Sequence, residues 1–372
     1  MTASENLAEF GWNLFKTQPR DNLLLSPISI FLALSMVYLG SIGDIKTEMD
    51  QVMFRNGSDA QVVSSMHKLM NSFGTKYGDY DAVYLHAANR VYASSSSKIL
   101  YAYARALQSH LSAKIKLVNF TDSEETCKKI NRFVSKRTDG KISKMLDHVD
   151  PSISLLLVNA VYFKGQWDVQ FSKDNTTPDT FYPTRNSSVT VDMMNLRDDF
   201  LYYEDDRSQV LGMPYSVEDY AMFVILPKPR YKLARLERTL SSEELLAMFR
   251  NATSQDVKVK LPKFTLEKEI GLKRALQRIG LESLFDPVRA DLSLIDPTQH
   301  LYVSKVVHKT FMQVDEKGTE AAGATSVKII PMRGTIRKRM YEFTADQPFM
   351  FAIVDTKQEL ILFLGRYIGQ SE

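Results

Sequence analysis

The tract EKGTEAAGATSV, Glu316–Val327, constrains the fold more than any other part of this chain. It follows the run LYVSKVVHKTFMQV and precedes two strongly apolar runs, yet its own side chains are too small to build a core. Read with the two-residue period of a strand, it splits into two sets. Thr319, Ala321, Gly323, Thr325, Val327 and Ile329 are small or apolar, while Glu320, Ala322, Ala324, Ser326, Lys328 and Ile330 carry the charges. That alternation fits a strand with one face on a core and one in water. Small side chains let such a strand slip between neighbours that are already packed, and Gly318 ahead of it can absorb a large backbone rotation. The same composition also suits a flexible Ala/Gly/Thr loop. The stretch from Gly318 to Pro348 is long for a loop, a length that goes with function or with disorder.

The rest of the chain has ample material for a core. Hydrophobic residues make up 44% and charged residues 24% of 372 residues, with a net charge of +3, which gives no pointer to nucleic acid. Length alone predicts two or three domains, but no Pro/Gly/Ser linker, repeat or low-complexity block divides the sequence. Leu23–Gly40, LLLSPISIFLALSMVYLG, is uncharged and just reaches membrane-span length. Pro27, Ser26, Ser29 and Ser35 interrupt it, so a helix buried in a core is the expected structure. It also starts too late for a signal peptide, after Glu5, Glu9 and Asp21. The lack of a leader favours a cytoplasmic protein or leaderless secretion. N-x-S/T sites at Asn56, Asn119, Asn175, Asn186 and Asn251 pull toward an extracellular one. The single cysteine, Cys127, cannot form an internal disulfide and reads as an inert thiol.

Helical patterns are expected to dominate the N-terminal part through DGKISKML. In ENLAEFGWNLFK, Leu7, Phe10, Leu14 and Phe15 share one face. From SISLLLVNAVYF onward the runs YAMFVILP, VKVKLPKFTL, LYVSKVVHKTFMQV, PFMFAIV and LILFLGRY predict strands. Two helices interrupt them: SSEELLAMF, opened by a capping box of Ser241 and Glu244, and IGLKRALQRIGL, with Leu272, Leu276 and Ile279 in phase. DTKQ predicts a hairpin turn. Segregated helices and strands point to an α+β fold. No G-x-S-x-G, H-E-x-x-H, P-loop or G-x-G-x-x-G is present, and His67, His86, His110, His148, His300 and His308 have neither catalytic nor metal-ligand spacing. An enzyme has no positive support, and no catalytic residue or metal ligand is assigned. Arg337, Lys338 and Arg339 read as a solvated basic run.

The tract EKGTEAAGAT resembles the hinge of the serpin reactive-centre loop. NLLLSPISIFLALSMVYLG, LLLVNAVYFKGQW, LPKF, HKTFMQVDEKGTEA and FLGRY resemble further serpin segments, in order, over essentially all 372 residues. The leaderless architecture is similar to the ovalbumin-like branch. The resemblance implies a single α+β domain over 1–372, with three sheets, surrounding helices and an exposed reactive-centre loop at about 318–345. It further implies a metastable suicide substrate: a serine protease cuts the loop, the acyl-enzyme forms, and the cut loop inserts as a strand in sheet A. Distortion of the attacker's triad and oxyanion hole then stops deacylation.

Roles carry over by position. Glu316, Gly318, Thr319, Glu320, Ala321, Ala322, Gly323, Ala324 and Thr325 match the inhibitory hinge, with no bulky or charged residue at an inward position. Ser26, Ser29, Asn159 and His308 match the shutter; Trp167, Lys263 and Glu316 match the breach where insertion begins. Counting from Glu316 places the scissile bond at Met332–Arg333, while Arg333–Gly334 lengthens the inserted strand by one residue and offers arginine to an acidic specificity pocket. The expectation is a trypsin-like target through Arg333, with an elastase- or chymotrypsin-like target through Met332 as the alternative, and a non-inhibitory carrier or chaperone as the other. The protein is expected to be a monomer whose partner is the target serine protease, with no cofactor, nucleic acid, membrane or heparin involved. Ile45, where the family usually has threonine, and RYIGQ, which lacks the usual proline, depart from the pattern without touching the mechanism.

Overall fold

The computed structural model describes residues 2–72, 83–298, 300–319 and 339–369. In chain order its helices are α1 (Ala3–Lys16), α2 (Pro27–Tyr38), α3 (Gly43–Met53), α4 (Asp59–Ser72), α5 (Tyr101–Leu111), α6 (Ser123–Arg137), α7 (Leu233–Thr239), α8 (Ser242–Asn251) and α9 (Lys273–Arg278). The strands are β1 (Leu23–Leu25), β2 (Val83–Ser94), β3 (Ile115–Val118), β4 (Leu155–Gln166), β5 (Thr177–Thr184), β6 (Ser187–Glu204), β7 (Ser208–Pro214), β8 (Tyr220–Pro227), β9 (Thr253–Pro262), β10 (Phe264–Gly271), β11 (Val303–Asp315), β12 (Gly318–Thr319), β13 (Met340–Thr344), β14 (Phe349–Asp355) and β15 (Leu360–Tyr367).

These elements form the α+β architecture that the resemblance implies. A six-stranded sheet has the order β10-β11-β12-β4-β2-β3. A larger network runs β1-β15-β14-β8-β7-β6-β9-β13, with β5 added on β6. Two of the three sheets implied by the resemblance are continuous here because the 18-residue β6 serves both. Its first residues pair with β5 and its last four with β7.

β4 shows why LLLVNAVYF is almost wholly apolar. Leu155, Leu157, Val161 and Phe163 face the main core, while Leu156, Val158 and Ala160 face a second core that also holds Ile130, Val134, Ile142 and Met145. A strand covered on both faces loses the polar alternation of a half-exposed one. β4 is therefore a central, fully buried platform, and α6 lies across the sheet on the second core.

The apolar run at the N-terminus divides into two elements. Leu23–Leu25 is strand β1, paired with Leu364–Arg366 of β15, and not the start of a helix. The helix begins only at Pro27, with Ser26 as its cap and proline in the first turn, where its missing N–H is no loss. Every residue of α2 is buried, so it is apolar all round. Two further expectations are corrected. The N-terminal part contains β2 and β3, whose polar interior positions disguise the strand pattern. Helix does not continue through DGKISKML: α6 stops at Arg137 because Asp139 and Gly140 both take left-handed conformations, with φ of 48° and 78°. The capping box at Ser241 and Glu244, the buried face of α1 and the turn between β14 and β15 are as expected.

Candidate functional site

β11 and β4 run parallel, side by side, from Val303 opposite Leu155 to Phe311 opposite Tyr162. Beyond Phe311 they part. β11 continues to Asp315, turns through Glu316 and Lys317, and returns as β12 into the gap. Thr319 sits between Val314 of β11 and Gly165 of β4; Gly318 sits between Asp315 and Gln166. The sheet is thus closed along most of the seam and split at one end by two residues, antiparallel to both neighbours.

Each of those two residues suits the gap. A Cβ on Gly318 would lie 2.1 Å from the Gly165 carbonyl oxygen and 2.8 Å from the Gln166 Cα, both backbone atoms, so only glycine fits. Thr319 is fully buried, and its hydroxyl lies 2.7 Å from the Tyr215 hydroxyl. Tyr215 stacks on Trp167 with ring centroids 4.7 Å apart, and burial pushes its phenol pKa up, so it remains a neutral partner.

The turn before β12 is pinned from one side. Trp167 Nε1 donates to the Asp315 carbonyl at 3.0 Å, Phe171 N to the Glu316 carbonyl at 2.9 Å, and Trp167 N to the Lys317 carbonyl at 3.0 Å. Three successive carbonyls of a tight turn are thereby satisfied. Lys263 Nζ lies 3.1 Å from Glu316 Oε1, and the Glu316 carboxylate is almost wholly buried. Burial pushes its pKa up, but bonds from its own backbone N–H and from Lys263 outweigh this and hold it below the ordinary value. Trp167, Lys263 and Glu316, which the resemblance matched to the breach, therefore meet at the open end of the seam.

The shutter residues meet lower down, on the seam itself. His308 of β11 is the register partner of Asn159 of β4, and its Nδ1 donates to Asn159 Oδ1. Its Nε2 accepts from Ser26 N at 3.1 Å, which fixes the neutral Nδ1–H tautomer. Full burial pulls its pKa down to about 3. Asn159 Nδ2 reaches the Ser29 carbonyl at 2.9 Å, Ser29 Oγ at 2.5 Å, and Asn89 Oδ1. Ser26 Oγ donates to the Leu362 carbonyl at 2.7 Å. Side chains from β4 and β11 are thus bolted to each other and to the start of α2, so the seam cannot open without breaking the His308–Asn159 bond.

Asn89 and Tyr215 were not singled out by sequence. Asn89 belongs to β2, whose strand character was hidden; its register position opposite Asn159 would have exposed it once β2 was recognised. Tyr215 lies at a strand end in GMPYSVEDY, where no motif marks it. Of the remaining hinge and scissile positions, Glu320, Ala321, Ala322, Gly323, Ala324, Thr325, Met332, Arg333 and Gly334 lie outside the described residues. The far end of the stretch 318–345 reappears as β13, which pairs in parallel with Asp256–Lys260 of β9. Among the described residues no three potential metal ligands gather, and no helix is long and apolar enough to cross a membrane.

Comparison with known proteins agrees with this geometry. Residues 5–369 match the family described as Serpin (serine protease inhibitor). Serpin B6 of Pongo abelii is 35% identical, the match covering 96% of each chain. Leukocyte elastase inhibitor of Xenopus laevis is 34% identical over 98% of this chain and 99% of its own. Among solved structures, the thermophilic serpin Tengpin in its native state superimposes with a TM-score of 0.89 at 27% identity, covering 98% of this chain and 93% of that one.

Proposed function

The chain belongs to the serpin family, and on that premise we propose that it traps a trypsin-like serine protease as an acyl-enzyme, using Arg333 as bait. Serine protease inhibition in general is what the family and the names of its relatives support, and those relatives are inhibitors rather than catalysts. The observation that carries the mechanism is the two-residue wedge Gly318–Thr319 at one end of a seam that is closed from Val303 to Phe311. Its direction is already the one an inserted strand needs. As residues from Glu320 onward enter, one parallel ladder between β4 and β11 is replaced by two antiparallel ladders, the somewhat stronger pairing. The native state therefore holds back one ladder until the loop is cut. In this reading the whole chain acts as one monomeric domain, with the segment between β12 and β13, inside the stretch 318–345, as its reactive loop, Trp167, Lys263 and Glu316 guiding entry, and Ser26, Ser29, Asn159 and His308 as the latch.

The choice of Arg333–Gly334 rests on the planar guanidinium, which suits the buried carboxylate of a trypsin-like pocket. Mixing the protein with trypsin should give a complex that survives denaturing electrophoresis, releasing a peptide that begins at Gly334. A peptide beginning at Arg333 would place the bait at Met332 and move the target to elastase- or chymotrypsin-like enzymes. Cleaved chain without any complex, with all three protease types, would leave the carrier or chaperone reading.

A further inference from the structure

We propose that His67 and His110 form a solvent-facing site for a divalent transition metal, zinc or copper, that ties α4 to α5. His67 lies on α4 and His110 in the last turn of α5, two helices that pack together. His67 is exposed and His110 half-buried. His67 Nε2 and His110 Nδ1 face each other at 3.3 Å, with ring centroids 5.4 Å apart. That separation is long for a hydrogen bond between ring nitrogens. It matches chelation: two nitrogens at zinc–nitrogen distance, separated by the tetrahedral angle, stand about 3.3–3.4 Å apart. A metal can therefore enter by small ring rotations while both backbones stay in place. Both ligands ride on helices, which hold such geometry better than loops do.

Among the described residues the pair belongs to no other machinery. The seam uses His308, and neither His67 nor His110 touches it or the breach. Two imidazoles with water in the remaining positions suit zinc, copper or nickel, with copper tightest by the usual divalent order, whereas magnesium and calcium need oxygen ligands. With two imidazoles as its ligands among the described residues, the site calls for modest, micromolar affinity.

The test is calorimetric titration of the tag-free full-length chain with ZnCl2 at pH 7.5, together with the electron paramagnetic resonance spectrum of the Cu2+ form. One metal per chain, and two nitrogen ligands on copper, are expected. Loss of a mere hydrogen-bond partner behind a metal ligand costs about 10–100-fold in metal affinity, so His67→Ala and His110→Ala should each weaken binding at least as much and leave a single-nitrogen copper signal. His148→Ala and His300→Ala should bind as the unaltered protein does. Because both substituted side chains reach solvent, the variants should keep the circular dichroism of the parent chain. No heat at tens of micromolar ZnCl2, or binding that survives both His67→Ala and His110→Ala, would overturn the proposal without bearing on protease inhibition.

Discussion

Replacing Thr319 by arginine tests the insertion register most severely. Thr319 is fully buried between β11 and β4 and bonds Tyr215. Arginine there must bury a guanidinium beside the Tyr215 ring, between Val314 and Gly165. Leaving a charge buried and unpaired costs about 3–5 kcal/mol, and orphaning the Tyr215 hydroxyl adds about 1–3 kcal/mol. Since residue 319 already fills the gap in the intact fold, the arginine is expected to drive the wedge out, and insertion must then begin by burying it again; if even about 3 kcal/mol falls on that step, insertion slows by roughly a hundredfold or more, since about 1.4 kcal/mol is a factor of ten. Acylation takes place far along the loop and should keep its rate. The acyl-enzyme then hydrolyses before it is trapped, and the inhibitor becomes a substrate. The assay is titration of trypsin against intact protein, with complexes scored on a denaturing gel. Thr319→Arg should give cleaved chain and almost no complex, at an unchanged rate of loop cleavage. Thr319→Ser, which keeps the hydroxyl on Tyr215, should remain an inhibitor. Trapping by Thr319→Arg at the parental stoichiometry would refute the inward register of Thr319 and the role of β12 as the start of the inserted strand.

Other predictions follow from the same contacts. Gly318→Ala places a Cβ against the Gly165 carbonyl and should raise the stoichiometry of inhibition severalfold, read on the same gel; an unchanged value would mean that the wedge is dispensable. His308 has a folded-state pKa of about 3 against an ordinary 6.5, so the unfolded chain binds more protons between those values and stability falls as pH drops from neutrality. From pH 7.5 to pH 5 the loss comes to about 2 kcal/mol, measurable as a lower urea midpoint, and a flat midpoint over that range would contradict the buried neutral imidazole. Arg333→Ala should abolish trypsin complexes while Met332→Ala leaves them, and the opposite pattern in the gel assay would reassign the bait.

The sequence disclosed the strands that build the seam because both are long and apolar; of the expected hinge, only Gly318 and Thr319 lie among the described strand residues, as β12. It hid what depends on register. LLLVNAVYF announces a buried strand, but that Asn159 faces His308 follows only from the pairing of β4 with β11. Leu23–Leu25 resembled helix since its three apolar residues continue seamlessly into α2; only the pairing with β15 and the cap at Ser26 divide them. Asp139 and Gly140 carried a stop signal that apolar periodicity in KISKML obscured, as Ile142, Met145 and Leu146 are core anchors of an irregular segment. Tyr215 meets Thr319 through a tertiary contact that no local pattern encodes.

The central claim is that this fold withholds a strand from its own six-stranded sheet, and a thermal melt tests it most directly. The intact protein is compared with protein nicked between residues 320 and 338 by a protease that escapes trapping. Uptake of the freed segment between β4 and β11 adds a ladder to the sheet, so the nicked protein should melt at a clearly higher temperature than the intact one. A nicked form that melts at or below the intact midpoint would contradict insertion and, with it, the proposed means of inhibition.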